Sequence, residues 1–158
     1  MLLAAAYAGI GFGNAGVHLP HGMSYPVSGM LRNFRPDGYC VDHPMVPHGI
    51  SVILNAPAVF RFTASSNPKR HLYAAEILGA DISHARAADA GKILGNQISQ
   101  LMQRLKVPNG LAALGYTHDD VPALVQGTVP QHRVTKLSPR PASEENIAKL
   151  FEESLVIW

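Results

Sequence analysis

Residues 2–29 have the sequence LLAAAYAGIGFGNAGVHLPHGMSYPVSG, and this stretch sets the expected fold class. Residues 2–19 are apolar nearly all round, which predicts a helix that is buried among other elements. The glycines within it lower the helical propensity, and at this density they permit close approach of another backbone or of a ligand. Pro20 and Pro26 are expected to kink or break the helix near its end.

The rest of the chain also has helical periodicity and no alternating strand pattern. We therefore expect an all-α fold, a multi-helix bundle. The expected order is a loop over 32–46, a helix from Pro47 to near Ser65 with a kink at Pro57, a helix between Asn67 and Gly79, a helix from about Ser83 to Lys106, a short helix between Thr117 and Gly127, a polar connection over Thr128–Pro141, and a last helix capped by Ser143.

The composition is unusual for a free-standing domain of 158 residues. Hydrophobic residues make up 47% and charged residues only 15%, and no charged residue precedes Arg32. Typical soluble domains have roughly 25% charged residues. Such a chain exposes apolar surface unless a partner covers it. Two interpretations stay open: a merely hydrophobic domain, or a domain whose partner domain or subunit is missing.

Composition also argues against several classes of function. The uncharged residues 1–31 are long enough for a membrane span, but Asn14, His18 and His21 would be costly in lipid, and no basic segment precedes them as in a secretory signal. The net charge of +2 comes from few charges of either sign, and no basic cluster indicates nucleic-acid binding. Cys40 is the single cysteine, which excludes a disulfide framework and favours a structural or exposed thiol.

The candidate chemistry lies in the histidines of this first stretch. His18, His21 and Tyr25 are spaced i, i+3 and i+7, so on a continuous helix they share a face with Asn14. Polar groups on an otherwise apolar helix indicate a functional site. His48 follows in the element Pro47-His48-Gly49, and neutral imidazole is the commonest metal ligand in proteins.

His21 and His48 have the convincing settings for metal ligands. Without a thiolate, imidazole ligands suit zinc, iron, nickel or copper, but a catalytic site needs three protein ligands or more, and no motif supplies a third. His43 lies in a loop and stays ambiguous. The pattern Gly9-x-Gly11-x-Gly13 has no preceding strand, which argues against a dinucleotide-binding loop. The remaining histidines have polar surroundings that predict a surface position: His71, His84, His118 and His132.

Several motifs together resemble the iron-containing (group III) alcohol dehydrogenases. Within that family the chain is most similar to the hydroxyacid–oxoacid transhydrogenase branch, and the resemblance covers essentially all 158 residues. The interval from His21 to His48, longer than in many relatives, fits this branch. The stretches that carry the resemblance are Gly11–Gly16, His21–Pro26, Val41–Pro44, Pro47–Gly49, Ala75–Asp81 and Arg133–Pro141.

The resemblance implies a domain organisation and a site. Family members have an N-terminal α/β domain that binds NAD(P) and a C-terminal helical domain, so residues 1–158 are expected to be the second domain with the first one missing. The family metal, Fe²⁺ or Zn²⁺, is held by one Asp and three His, and His21 and His48 match the last two. Tyr25 stands where many members have a proton-relaying His, which puts an imidazole relay in doubt. Phe12 and Asn14 are assigned to cofactor binding.

The resemblance also implies an activity: metal- and NAD-dependent hydride transfer from 4-hydroxybutyrate to 2-oxoglutarate. The isolated chain is expected to be inactive. The alternatives are an alcohol dehydrogenase of another substrate range and a non-catalytic helical assembly module. The family location is mitochondrial, or cytoplasmic for a bacterial protein, and a homodimer is possible. Arg32 or Arg35 is a candidate to pair a substrate carboxylate, because a guanidinium fork suits that group, although two solvated arginines are an equal alternative.

Overall fold

The computed structural model describes residues 1–158 as helices joined by loops, without a β-strand. The expected all-α fold is therefore confirmed. The α-helices are α1 (Leu2–Ala15), α2 (Leu19–Gly29), α3 (His48–Ile53), α4 (Ala56–Thr63), α5 (Pro68–Ile77), α6 (Ala90–Arg104), α7 (Val121–Thr128), α8 (His132–Thr135) and α9 (Glu144–Leu155).

The core lies where these helices cross. Helix α6 packs against α4 and α5, and α2 packs against α3, α7 and α8, while α9 joins the two groups through α4 and α7. Large side chains at these crossings are completely excluded from solvent, and burying each one stabilises the fold by about 1.5–3 kcal/mol. The largest of them are Phe151, Leu19, Met23, Leu54, Met102, Leu111 and Leu124.

Short capping motifs fix the starts of several helices, as predicted. The Asn67 side chain accepts a hydrogen bond from the Arg70 amide at 3.2 Å at the start of α5. Ser143 Oγ accepts from the Asn146 amide at 3.3 Å at the start of α9. Each cap satisfies a backbone donor that the helix itself leaves unpaired. Thr117 and Asp120 form the predicted capping box ahead of α7.

Three predicted boundaries were wrong. The single helix expected from Pro47 to near Ser65 is two helices, α3 and α4, and Pro57 lies in the first turn of α4 rather than at a kink. Helix α6 begins at Ala90 rather than near Ser83, because Arg86 and Asp89 close a separate 3₁₀ turn in front of it. The connection over Thr128–Pro141 contains the short helix α8. Helix α8 has a single buried residue, Val134, so no periodic pattern marks it in the sequence.

The prediction of a buried helix over residues 2–19 was also wrong. Helix α1 ends at Ala15, and none of its residues is buried. Gly16 follows with a φ of 78°, a backbone conformation that favours glycine. Pro20 therefore lies in the first turn of a new helix, and Pro26 lies inside it.

Helices α1 and α2 meet at a bend of 109°. No single helix is both long and apolar enough to cross a membrane, whereas this bent pair passes that test by length and composition. The bend places Asn14 on a different helix from His21 and Tyr25, so these side chains do not share one helical face.

Candidate metal centre

Helix α2 carries two of the predicted site residues on one side and core residues on the other. Pro20 is suited to the first turn, where its missing amide hydrogen leaves no bond unmade. His21 and Tyr25 follow four residues apart and so lie on the same side of the helix. Both are half-buried. The opposite side is held in the core by Leu19, Met23 and Val27.

Helix α3 brings the second histidine to the same place. Pro47 precedes the helix in an extended conformation, and His48 is its first residue. Ser51 Oγ donates to the His48 carbonyl at 2.8 Å, which closes the first turn. Because α3 packs against α2, the His21 and His48 rings lie with their centroids 5.3 Å apart and their planes at 58°.

The two imidazoles are suited to hold a metal ion. Burial, followed by the charge of the neighbouring His48, lowers the pKa of His21, which favours the neutral ring that metals require. Neither ring takes part in a hydrogen bond within the chain. No group of three or more His, Cys, Asp or Glu side chains lies close enough to hold an ion. Within this chain the candidate centre therefore consists of two imidazoles, those of His21 and His48.

A cavity of ≈ 360 Å³ opens beside the two rings. Phe12, His21, Tyr25 and His48 line it, so the structure brings together four of the five predicted site residues. Asn14 is not among the lining residues. Its side chain donates to the Ile10 carbonyl at 2.7 Å within α1.

Arg133 also lines this cavity, and sequence reasoning missed its role. Its guanidinium donates a hydrogen bond to Tyr25 Oη at 3.0 Å. The two residues are 108 positions apart. No local pattern in the sequence links them. The only signal for Arg133 in the sequence is that it belongs to the stretch Arg133–Pro141, which contributes to the family resemblance.

Two glycines, one in α2 and one before it, face the segment that carries Arg133. A Cβ atom on Gly22 would lie 2.7 Å from Thr135 Cγ2, and one on Gly16 would lie 2.5 Å from Leu137 Cδ1. Real Cβ atoms do not come so close, so a side chain at Gly22 would push α8 away, whereas at Gly16 the exposed Leu137 side chain has room to turn aside. The absence of a side chain at Gly22 thus lets α8, which carries Arg133, pack directly on α2.

His18 lies behind the site rather than in the cavity. Its ring meets Phe60 edge-on at 6.1 Å, and its Nδ1 is buried without a hydrogen-bond partner. Burial is the main cause that lowers the pKa of His18, and His21 and His71 add to the effect. A neutral His18 is therefore part of the packing under α2.

His71 is not at the surface, contrary to the prediction. It is buried against Phe60, its Nδ1 donates to the Asn67 carbonyl at 2.8 Å, and its Nε2 lies 3.1 Å from Thr63 Oγ1. Polar partners on α4 and at the start of α5 make this burial tolerable. The surface positions predicted for His84, His118 and His132 are confirmed. His43 is exposed as well.

Neither arginine proposed for substrate binding lines the cavity. Arg32 forms an ion pair with the buried Asp120, whose pKa is lowered first by a hydrogen bond from the Thr117 amide and then by Arg32. Arg35 donates to the Asp42 carbonyl at 2.8 Å. Cys40 is a free, exposed thiol, as expected.

Comparison with known protein families gives one match over nearly the whole chain. A family model described as "Fe-containing alcohol dehydrogenase family, C-terminal" matches residues 1–155. The mitochondrial hydroxyacid-oxoacid transhydrogenase of Pongo abelii is 59% identical over 158 residues, which is 100% of this chain and 34% of the relative. The probable mitochondrial enzyme of Dictyostelium discoideum is 58% identical, over 100% of this chain and 29% of the relative.

Solved structures show the same fold at lower identity. A 1,3-propanediol oxidoreductase matches with a TM-score of 0.78 at 24% identity, and an alcohol dehydrogenase from Oenococcus oeni with 0.78 at 22%. Each match covers 93% of this chain and 35% of the other. The chain thus spans about a third of the length of the relatives that it matches.

Proposed function

Because the chain belongs to the Fe-containing alcohol dehydrogenase family and matches its C-terminal part, we propose that it is the metal-binding helical domain of an oxidoreductase. The proposed reaction is hydride transfer between a hydroxyacid and an oxoacid, with 4-hydroxybutyrate as donor and 2-oxoglutarate as acceptor. The single observation that carries this proposal is the ring pair of His21 and His48, 5.3 Å apart beside a cavity.

His21 and His48 would hold Fe²⁺ or Zn²⁺ as two of four ligands. When bound, such an ion supplies Lewis acidity that polarises the oxygen of the substrate. The role of the protein is to hold the two imidazoles next to each other, and the lowered pKa of His21 favours the neutral ring that a metal requires there. The remaining two ligands, in this proposal, come from a longer polypeptide that also contains the NAD(P)-binding α/β domain.

Tyr25 is the proposed proton-holding residue. Arg133 donates to Tyr25 Oη, so one lone pair of that oxygen is occupied and the phenolic hydrogen can be directed toward a third group. Both residues line the cavity beside the two histidines. Tyr25 would therefore donate a hydrogen bond to the substrate oxygen and hold the proton there during hydride transfer.

The apolar side of the cavity supports a reaction that excludes water. Phe12, Val17 and Leu137 line it together with the polar residues. We propose that Phe12, with Asn14 nearby on α1, contacts the nucleotide that the α/β domain holds. Once the α/β domain and the nucleotide cover it, an apolar wall of this kind would keep water from the reacting carbon. The names of the curated relatives support a mitochondrial location, and a homodimer stays a proposal.

A hybrid enzyme tests the proposal directly. This chain replaces the matching third of the rat mitochondrial transhydrogenase, to which it is 58% identical. We expect the hybrid, loaded with metal and NAD, to convert 4-hydroxybutyrate and 2-oxoglutarate into succinate semialdehyde and 2-hydroxyglutarate. Replacing His21 or His48 by Ala should abolish turnover. A folded, metal-loaded hybrid without hydride transfer would leave the non-catalytic assembly module as the better interpretation.

A further inference from the structure

The cavity beside the histidine pair contains a single fixed positive charge, that of Arg133. Of the nine lining residues none is an Asp, a Glu or a Lys, and several are apolar. A carboxylate that binds beside these apolar side chains gives up part of its hydration, and a charged partner compensates that cost. A neutral alcohol has no such requirement. The lining is therefore suited to select acids.

The guanidinium of Arg133 has donors to spare. It makes one side-chain hydrogen bond, to Tyr25 Oη, and takes part in none of the four ion pairs of the chain. A guanidinium has five N–H donors arranged as a planar fork. Arg32 differs because Asp120 already binds it. Arg133 is thus able to receive a carboxylate through two parallel hydrogen bonds.

The fold holds this charge at a set place relative to the metal ligands. The neighbouring Val134 is buried, and α8 lies against α2 at Gly22. At its far end the guanidinium is bound to Tyr25, one helical turn from His21. Because its backbone and its guanidinium are both held in place, the Arg133 side chain loses less conformational entropy when it binds a ligand.

We infer that Arg133 binds the carboxylate of the substrate and so makes the enzyme specific for short hydroxyacids and oxoacids over neutral alcohols. This inference rests on the function proposed above and assigns to Arg133 the role first considered for Arg32 or Arg35. Tyr25 then has two functions. Its Oη accepts the hydrogen bond that orients the guanidinium, and its hydroxyl hydrogen orients the oxygen of the substrate.

A matched pair of substrates tests the inference in the metal- and NAD-loaded hybrid enzyme. 4-Hydroxybutyrate and 1,4-butanediol have the same four-carbon chain, but 4-hydroxybutyrate ends in a carboxylate where 1,4-butanediol ends in a hydroxymethyl group. For Arg133→Gln we expect the KM for 4-hydroxybutyrate and for 2-oxoglutarate to rise about 10- to 100-fold, the range for lost hydrogen bonds to a charged group. The kcat/KM for 1,4-butanediol should fall at least about 10-fold less than that for 4-hydroxybutyrate, since both substrates lose the orientation of Tyr25 but only the acid loses its charged partner.

Three further variants separate binding from damage to the fold. Arg133→Lys keeps the charge but not the fork, and should recover part of the KM. Arg104→Gln, at the exposed end of α6, is the matched control and should change neither constant. Arg35→Gln is the rival: if it raises the KM for the acids while Arg133→Gln does not, the inference is wrong. An equal loss of activity toward the acid and the diol in Arg133→Gln would overturn it as well.

A binding measurement distinguishes failure of this inference from failure of the proposed function. Calorimetric titration of the metal-loaded hybrid with 2-oxoglutarate requires no turnover. Weaker binding by Arg133→Gln than by the unmodified hybrid supports the inference even if the hybrid transfers no hydride, in which case only the proposed reaction fails. Equal binding by the two proteins, or no binding by either, overturns the inference.

Discussion

His21 and His48 differ in their surroundings, although they form one candidate site. His21 is half-buried on α2, while His48 is exposed at the start of α3. Their rings face each other because the two helices pack together, not because of any bond between them. Two ligands without a third supply little of the affinity and geometry of a complete site.

The isolated chain should therefore bind Zn²⁺ weakly and with a dependence on pH. Protons compete with the metal for an imidazole nitrogen, so binding should weaken as the pH falls. His21 should keep its ligand form to lower pH than an ordinary His because its pKa is lowered. Calorimetric titration with Zn²⁺ at pH 7.5 and 5.5 measures this, with His84→Ala as control. Tight stoichiometric binding would mean that another side chain completes the shell.

His18 should make the stability of the chain depend on pH. Its pKa in the folded chain is below 6.5, so as the pH falls the unfolded chain takes up the proton first. The free energy of unfolding should decrease below about pH 6.5 and level off below the folded-state pKa. In urea unfolding between pH 7.5 and 5, His18→Gln should flatten this dependence and leave the contribution of His21. An unchanged slope would contradict a neutral His18 with a buried Nδ1. The exposed His84→Gln is the control.

At the scale of elements, the contact of α8 with α2 decides where Arg133 lies. Gly22 leaves no room for a methyl group opposite Thr135, whereas a Cβ atom added to Gly29 on the same helix would have nothing within 4 Å. The two glycines therefore form a matched pair for substitution. The same replacement tests a close contact at one site and helical propensity at the other.

We expect Gly22→Ala to lower the free energy of unfolding by about 1–3 kcal/mol, because the added methyl group overpacks the contact. Gly29→Ala should change it by less than about 1 kcal/mol in the stabilising direction. Adding Thr135→Ser to Gly22→Ala removes the clashing Cγ2 and should recover part of the loss. Chemical denaturation of the four proteins measures these differences. Equal effects at Gly22 and Gly29 would mean that α8 moves away from the added methyl group without lowering the free energy of unfolding.

Helix starts could be predicted where the signal is local. Asn67, Thr117 and Ser143 each bond to the backbone or a side chain three residues on, and all three starts are confirmed. The break at Gly16 depends instead on a positive φ and on contact with Leu137, which no local pattern reveals. Helix α8 owes its position to packing on α2, so its sequence alone did not predict it.

At the scale of the molecule, the sparse charge is matched by surface that stays exposed. The chain exposes 9304 Å², compared with about 7,700 Å² expected for a compact monomer of this mass. The difference of about 1,600 Å² is twice what one partner contributes to a standard protein interface. Much apolar exposure lies on α1, at Leu2, Leu3, Tyr7, Ile10 and Phe12. Composition predicted such a surface but not that α1 would provide it.

Helix α1 should contribute almost nothing to the stability of the isolated chain. Its amides should exchange with deuterium far faster than those of α6 and α9, since no residue of α1 is buried. Deleting residues 1–15 should change the free energy of unfolding by less than about 0.5 kcal/mol. Phe151→Ala in α9 is the contrasting case and should cost about 3–5 kcal/mol. Protected amides in α1 at high protein concentration would instead indicate self-association through this helix.

The candidate site could be predicted in part. His21, His48 and Tyr25 were expected together, and they line one cavity. Arg133 was not, because its link to Tyr25 spans 108 residues and exists only after the helices pack. Periodicity and motifs describe neighbours along the chain, whereas a cavity is formed by neighbours in space.

The same separation has a consequence for synthesis on the ribosome. At roughly 5–20 residues per second, Arg133 is made about 5 to 20 s after Tyr25, from which it is 108 positions distant. Both histidines emerge long before it. A nascent chain therefore contains the two candidate metal ligands well before the residue that we infer selects the substrate.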